Sequence, residues 1–316
     1  DASTGLVYPM VMLTMPSGEQ TDTLQYAHEA LYGTYDNPVI FRASDEMEQH
    51  TDLARGWNWV SFYVNPKSNA ISSVMPKGAA NVNSISYVKS QNAFSTTKSG
   101  AFQGELTTIN PGQMYKIQMK KDLSFYLVGD VIDVATTPQT IHKGYNWIGS
   151  LSTEVMSPDE AFADLQPEEG DVVKNPSGFS MYHASTKQWE GILHNIVPGD
   201  GYIYISNAKK DKSFHYPKLG LQAASMAPSR RAASIHRAPA VHFTPTEPYA
   251  FPDNMNMIAV VVKDGQRLTD AEVGAFIDGE CRGAIRANDG SEYYFLTVMG
   301  SASEDKNKKV ANAMMM

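Results

Sequence analysis

The sequence has only one cysteine, Cys281, among its 316 residues. A disulfide within the chain and a cysteine-based metal cluster are therefore excluded, because each requires more than one thiol. No histidine flanks Cys281 to activate its thiol as a nucleophile. The residue is therefore interpreted as a small buried side chain of a packed core.

Positive charge is also scarce, since 26 lysines and arginines face 34 acidic residues and the formal net charge is -8. This balance argues against a DNA- or RNA-binding role, which needs a broad basic surface. The sequence lacks a run of about 18 to 20 consecutive apolar residues, the length that a membrane helix requires. It also opens without a basic, apolar leader, so either the chain is not exported or its targeting segment has been removed.

The motifs of common enzyme classes are missing as well: GxSxG, HExxH, the P-loop, and GxGxxG between a strand and a helix. Acidic residues and histidines occur in loop-like or helix-start contexts, which are typical of solvated surface. The candidates weighed were Asp45, Glu46, Glu48, His50, Ser157, Asp159 and Glu160. The sequence thus predicts a protein that is not an enzyme, with no catalytic residue, no metal site and no cofactor. Calcium stays open, because a loop such as NDGSE offers oxygen ligands.

What the sequence does contain is an internal repeat. GWNWVSF begins at Gly56 and GYNWIGS at Gly144, and two further anchors follow in the same order in each copy. Self-similarity of this kind indicates one structural unit used twice. The anchors are Gly56, Asn58, Trp59, Pro111, Gly112 and Tyr115 in the first copy, and Gly144, Asn146, Trp147, Pro198, Gly199 and Tyr202 in the second.

Each copy is rich in short alternating strands such as MYKIQM and YIYIS, and Pro-Gly pairs mark the turns between them. Helical signals are confined to short pieces such as SPDEAFADL, where Ser157 is a candidate N-cap. The sequence therefore predicts an all-β fold of tandem, small β-sandwich-like modules. The two copies occupy 44–138 and 139–218.

The repeated tryptophans have two interpretations. In the first, Trp59 and Trp147 fill the middle of each small core, while the preceding Gly and Asn form the turn that aims the strand. In the second, Trp57 or Tyr145 stays outside and offers a stacking surface for a sugar ring. Trp189 is a similar case, with a core position favoured.

Residues 219–246 are rich in Ala, Ser and Pro and are interpreted as a linker. Period-two strands resume in 247–316, with Asp264-Gly265 and Asp289-Gly290 as hairpin turns. This segment is short for a β-sandwich of around 100 residues. Residues 1–43 have no core of their own, so each terminal segment is expected to supply what the other lacks.

The terminal segments carry patterns such as NMNMIAVVVKDG, VGAFIDGECRG, YFLTVMG and DASTGLVYP. Together with the GWNW and PGxGY motifs, they resemble repeat modules of large secreted or surface-anchored proteins of gut Bacteroidota. The resemblance implies that 1–43 and 247–316 are the closing and opening parts of one GECRG-type β-sandwich. The two parts pair within one chain, the favoured arrangement, or between neighbouring copies. Residues 311–316 depart from the family pattern and are doubtful as native sequence.

The resulting functional hypothesis is a noncatalytic extracellular structural, assembly or adhesion module of a repetitive bacterial surface protein. It would lie outside the cell or on the outer membrane, with neighbouring modules or copies of itself as partners through strand pairing. The alternative is a module that binds host or dietary glycans or glycoproteins through exposed aromatic rings. The candidate platforms are Trp57, Tyr145, Trp189, Tyr293 and Tyr294.

Overall fold

The computed structural model describes residues 46–218, 242–286 and 292–300 and the backbone of 312–315. The fold over these residues is all-β, built of small sandwich-like modules, as the sequence predicts. Within the described ranges, no helix has the length and hydropathy needed to cross a membrane. The proposed closing segment, 1–43, lies outside the described residues.

The first repeat forms two antiparallel sheets, one of five strands in the order β2-β7-β4-β5-β6 and one of three in the order β1-β8-β3. Side chains from both sheets, including Val60, Tyr115 and Leu127, share one buried core. The elements are β1 (Glu46–Leu53), β2 (Gly56–Ser61), β3 (Val64–Asn65), α1 (Ile71–Val74), α2 (Ala79–Val82), β4 (Ile85–Lys89), β5 (Phe94–Lys98), β6 (Ala101–Gly104), β7 (Met114–Met119) and β8 (Leu123–Val131).

The second repeat has the same five-stranded order, β10-β14-β11-β12-β13, with a smaller sheet of β15 and β9. Its one-turn helix begins at the predicted N-cap, Ser157, which forms a capping box with Glu160. The duplication is therefore one of structure. The elements are β9 (Gln139–Ile141), β10 (Gly144–Gly149), α3 (Pro158–Ala161), β11 (Val172–Lys174), β12 (Phe179–His183), β13 (Gln188–Gly191), β14 (Gly201–Ser206) and β15 (Lys212–Phe214).

The repeated Gly and Asn make the same turn in both copies. Gly56 and Gly144 have positive φ angles of 98° and 84°, which favour glycine. The Asn58 side chain accepts a hydrogen bond from Ala54 N and donates to Ala54 O and Gly56 O. Asn146 repeats all three bonds in the second copy. The motif thus fixes the turn that precedes the strand, since the buried Asn side chain hydrogen-bonds the backbone groups of that turn.

The Pro-Gly turns are closed by the tyrosines that follow them. The Tyr115 hydroxyl accepts a 2.7 Å hydrogen bond from Asn110 N, and the Tyr202 hydroxyl accepts one of the same length from Val197 N. Both side chains are fully buried. The second anchor of the repeat is therefore a tyrosine that holds its own turn from inside the core.

The repeated tryptophans do not fill the core of either module, contrary to the first interpretation above. Trp59 is buried and Trp147 half-buried, but both lie on the outer face of their sheet, in a separate cluster with Met114 and Ile203. Alternation along β2 explains the difference, because Asn58 and Val60 point inward and the residue between them must point outward. The tryptophans are buried because the two outer faces meet.

The two repeats meet through the same patch on each. Ser61 N donates to Gly199 O, and the equivalent Gly149 N donates to Gly112 O. The Pro-Gly turn of each repeat thus accepts a hydrogen bond from the tryptophan-bearing strand of the other. Such a self-complementary contact is the kind found in two-fold symmetric dimers.

The third module follows the undescribed residues 219–241. The sequence assigns 242–246 to the linker, but this assignment is wrong. Phe243 packs against Phe276 and Cys281, and Thr246 N donates to Cys281 O. The elements of this module are η1 (Pro248–Ala250), β16 (Asp253–Ala259), β17 (Val261–Lys263), β18 (Gln266–Leu268), β19 (Glu272–Ile277), β20 (Glu280–Arg286), β21 (Tyr294–Gly300) and β22 (Asn312–Met315).

Two sequence expectations for this module can be compared with the structure. Asp264 and Gly265, both with positive φ, form the predicted turn between β17 and β18; the Asp289-Gly290 turn lies outside the described residues. The sequence leaves 311–316 doubtful as native sequence; the backbone of Asn312–Met315 forms β22, which pairs with β19. Strand pairing uses backbone groups, which the methionine-rich segment also has.

The repeat interface gives a direct test at Gly149. A Cβ atom there would lie 2.1 Å from the Cβ of Ser61, while the next contact outside this side chain is 3.4 Å away. We expect Gly149→Ala to lower the free energy of unfolding by about 1 to 3 kcal/mol through overpacking. Ser61→Gly alone loses the buried hydrogen bond from the Ser61 hydroxyl to Asp200 O. The double variant Ser61→Gly/Gly149→Ala should therefore lose less stability in chemical denaturation than the sum of the two single losses.

The matched control is Gly300→Ala, because nothing lies within 4 Å of a Cβ built at Gly300. It should change stability by less than about 0.5 kcal/mol. Losses that add fully in the double variant would contradict the proposed contact.

Candidate functional site

The start of the third module lies against both repeats. The Trp59 indole donates a 3.2 Å hydrogen bond to Pro252 O, and Pro248–Ala250 lies against β2. At Gly56 the approach is so close that a Cβ would lie 2.3 Å from Tyr249 O. The glycine of the first repeated motif is therefore needed for module contact as well as for its turn.

A buried lysine lies at the centre of this contact. Lys116 is only 2% exposed, and its ammonium lies 4.2 Å from the ring centre of Trp59 and 4.6 Å from that of Trp147. It also forms an ion pair of 2.5 Å with Asp253 at the start of β16. One cation is thus held by an indole from each repeat and a carboxylate from the third module.

A second lysine binds the next residue of β16. Lys174 donates 2.9 Å hydrogen bonds to both the backbone and side-chain oxygens of Asn254, and the Asn254 amide donates to Asn175 O. Beside them, the rings of Phe179 and Phe295 lie 5.5 Å apart. We call the set Trp59, Lys116, Trp147, Lys174, Asp253 and Asn254 the interdomain clamp.

Burial dominates the electrostatics of the clamp. It lowers the pKa of Lys116, and the neighbouring Asp253 carboxylate opposes that effect. Burial, reinforced by the charge of Lys116, lowers the pKa of Lys174 to about 8. Desolvation penalises each ammonium, and the two like charges repel. Asp253 is therefore the counter-charge that favours the charged form of both lysines.

A lysine with a lowered pKa can serve as a catalytic base or nucleophile when a substrate reaches its amine. The Lys116 ammonium lies between two indole rings and an acid, and the Lys174 ammonium is bonded to Asn254. Both side chains are buried. The arrangement therefore acts as a lock between modules.

The interdomain clamp lies on one side of the repeat pair. On the other side, the Gln91 side chain accepts from Trp147 N and donates to Tyr145 O, covering the edge of β10. Its counterpart in the second repeat is Pro176, which has no amide. The counterpart of Lys116 is Ile203, which carries no charge. The two repeats thus differ at two positions, and these differences distinguish the side that binds the third module.

A row of aromatic rings lies on the outer face of the first repeat. Ring centres of Trp57 and Tyr87 are 6.3 Å apart, and those of Tyr87 and Phe94 are 5.8 Å apart. Tyr87 is 40% exposed and Phe94 47%, while Trp57 is half-buried. We call these three residues the aromatic row. In the second repeat the equivalent row is incomplete, because Val172 replaces the tyrosine.

The other candidate platforms are scattered. Tyr145 is 62% exposed, and Tyr293 is 44% exposed beside Arg267. Trp189 is half-buried, with its ring against Phe162, so it is largely a core residue. Tyr294 cannot be a platform, because it is fully buried and its hydroxyl donates to Leu268 O.

The acidic candidates have local roles in the structure. Asp159 accepts a hydrogen bond from Trp189 N, and Glu160 belongs to the capping box. His50 stacks on Tyr126 and lies 3.3 Å from Asp52. Asp45 is outside the described residues. Over the described part of the chain, no group of three or more potential metal ligands occurs.

Sequence reasoning missed the clamp, although a signal for it was present. Lys116 is the only charged residue in the strand MYKIQM, where alternation places it opposite the core residues Tyr115 and Ile117. A lysine in the middle of an otherwise apolar or uncharged strand suggests a partner on the outer face. Nothing in the sequence pairs it with Asp253, which lies beyond the linker.

Comparison with known proteins finds no match: no protein-family model, no curated protein and no solved structure is similar to this chain. What the chain does must therefore be inferred from its own residues. The clamp and the aromatic row are the two features that can carry such an inference.

The clamp predicts a pH dependence of stability. The pKa of Lys174 is about 8 in the folded chain, against 10.5 for an unperturbed lysine. Between these values the unfolded state keeps a proton that the folded state has released, so stability rises with pH. Relative to Lys174→Met, the wild-type free energy of unfolding should rise by about 2 kcal/mol from pH 7.5 to 9.5.

Urea denaturation at several pH values measures this difference. The buried tyrosines titrate in both proteins, so their contribution cancels in the comparison. The free energy of unfolding of the wild type minus that of Lys174→Met should rise with pH. A difference that stays constant or falls over this pH range would contradict the assigned burial of Lys174.

Proposed function

We propose that this chain is a noncatalytic extracellular module that spaces, assembles or anchors a repetitive bacterial surface protein. The observation that carries the proposal is the interdomain clamp, in which one buried lysine contacts both repeats and the third module. The resemblance of the sequence motifs to modules of gut Bacteroidota surface proteins supports the same role.

The clamp suits a structural role because it fixes modules that are separated along the chain. The described residues from Met47 onward belong to one compact unit. Domains within one chain usually move relative to each other, unless the interface between them holds them in place. Here the ion pair between the buried Lys116 and the partly exposed Asp253 restrains the third module, together with the hydrogen bonds of Lys174. Fixed spacing is what a load-carrying or spacing element of a surface protein requires.

Surface labelling tests the location. An antibody raised against this chain should label intact, unpermeabilised cells of the source organism, and external protease should remove the signal. An antibody against a cytoplasmic protein is the control and should label only permeabilised cells. Labelling of this chain that also requires permeabilisation would overturn the proposal.

A second function, glycan binding, is favoured by the aromatic row. Three neighbouring rings, at least two of them well exposed, form a surface on which the apolar face of a sugar can stack. Gln118 lies between Trp57 and Tyr87 in the strand register, and Thr96 lies opposite Tyr87. These polar side chains supply hydrogen-bonding groups for sugar hydroxyls.

Isothermal titration against a panel of plant and host polysaccharides tests this function. If a glycan binds, Trp57→Ala and Tyr87→Ala should each weaken it at least tenfold, or about 1.4 kcal/mol. The matched control is Tyr126→Ala, which removes another exposed ring elsewhere on the first repeat and should leave affinity unchanged. Equal affinity in all variants, or no binding to any polysaccharide, would remove the aromatic row as a glycan site.

A further inference from the structure

The receptor half of the clamp is formed by the two repeats alone. Trp59, Lys116, Trp147 and Lys174 all precede residue 219, whereas Asp253 and Asn254 belong to the third module. The ligand half is a short segment at the start of that module, where Tyr249, Pro252, Asp253 and Asn254 make the contacts. Phe295 of β21 adds a ring contact beside it. Every chain therefore carries both surfaces, a receptor on its repeats and a ligand on its third module.

The connection between the two halves is long. Residues 219–241 separate the last described residue of the second repeat from the third module. At full extension, a segment of this length reaches roughly 75 Å. Covalent geometry therefore does not oblige a third module to bind the repeats of its own chain.

We propose that the clamp also accepts the third module of a second copy, so that neighbouring copies exchange third modules. The inference rests on the proposed function, because a repetitive surface protein holds copies at high local concentration. Within an isolated chain, the tethered module competes at an effective concentration in the millimolar range. Exchange therefore becomes significant when neighbouring copies reach a similar concentration.

The one-sided construction of the clamp determines the outcome of exchange. Gln91 covers the equivalent edge on the other side, so each copy receives one third module and offers one. Receptor and ligand surfaces differ, which makes the contact heterologous. Two copies can close on each other reciprocally, or successive copies can continue into an open chain.

Charge-exchanged variants separate exchange from binding within one chain. Lys116→Glu places two acids together in the clamp, and Asp253→Lys places two lysines together, so each variant alone has only mismatched contacts. In an equimolar mixture, the glutamate introduced into one variant meets the lysine introduced into the other, and the two unaltered partners also meet. Both contacts of a reciprocal pair are then matched. Sedimentation velocity should show at least tenfold more dimer in the mixture than in either variant alone.

The control is the double variant Lys116→Glu/Asp253→Lys, which restores a matched pair within one chain and should be monomeric at the same concentration. Circular dichroism of each variant checks that the β fold is retained. A mixture that stays monomeric, while the double variant shows restored stability, would overturn the exchange proposal. Such a result would leave the surface-labelling test of the proposed function unaffected.

A cross-linking experiment does not depend on charge reversal. Asn175 and Asn254 are hydrogen-bonded neighbours across the clamp. With Cys281→Ser in both proteins, one copy carries Asn175→Cys and the other Asn254→Cys, and the two are mixed at about 1 mM, the effective concentration of the tether. Oxidation should give a disulfide-linked heterodimer on non-reducing electrophoresis. The reference is a single chain that carries both Asn175→Cys and Asn254→Cys. If this chain forms an internal disulfide while the mixture forms no heterodimer, the exchange proposal is wrong.

Discussion

The structure depends on the Lys116 ammonium and the groups that surround it. An ammonium removed from water is costly unless charge and hydrogen-bond partners compensate, and here two indole faces and the Asp253 carboxylate do so. The compensation comes from three modules, so none of them alone can bury this lysine favourably. Removal of Asp253 would leave the buried ammonium without its carboxylate partner. The modules are thereby linked by an electrostatic requirement as well as by apolar packing.

Much of the fold could be predicted from the sequence because local rules determine it. The Gly-Asn entry turn, the Ser157 cap and the Asp264-Gly265 hairpin all depend on residues close together in the chain. The duplication is visible because the two copies share their motifs. Alternation also showed which residues share a face of a strand, such as Trp57 and Trp59. It could not show which face meets a partner, because that depends on contacts between distant segments. The tryptophans were therefore assigned to the wrong core.

The candidate site was harder to predict than the fold for the same reason. Of the five aromatic residues proposed as platforms, Trp57 belongs to an exposed row, whereas Tyr294 is buried. Tyr293 and Tyr294 are adjacent in the sequence, but Tyr293 precedes β21 whereas Tyr294 is its first residue, and all of β21 except Gly300 is buried. Tyr87 and Phe94 were not predicted as platforms because no motif in the sequence marks either residue as exposed. Their proximity arises only when β4 and β5 pair.

The contact between the repeats has a consequence for the polarity of an assembly. In a dimer of two identical chains, every substitution appears on both sides of the symmetry axis, so both sides must bind alike. Here the two halves are encoded separately, and Gln91 occupies one side while Pro176 occupies the other. The duplicated chain can therefore combine a symmetric packing interface with a single receiving side. An array built from such units has a head and a tail, which a symmetric dimer could not provide.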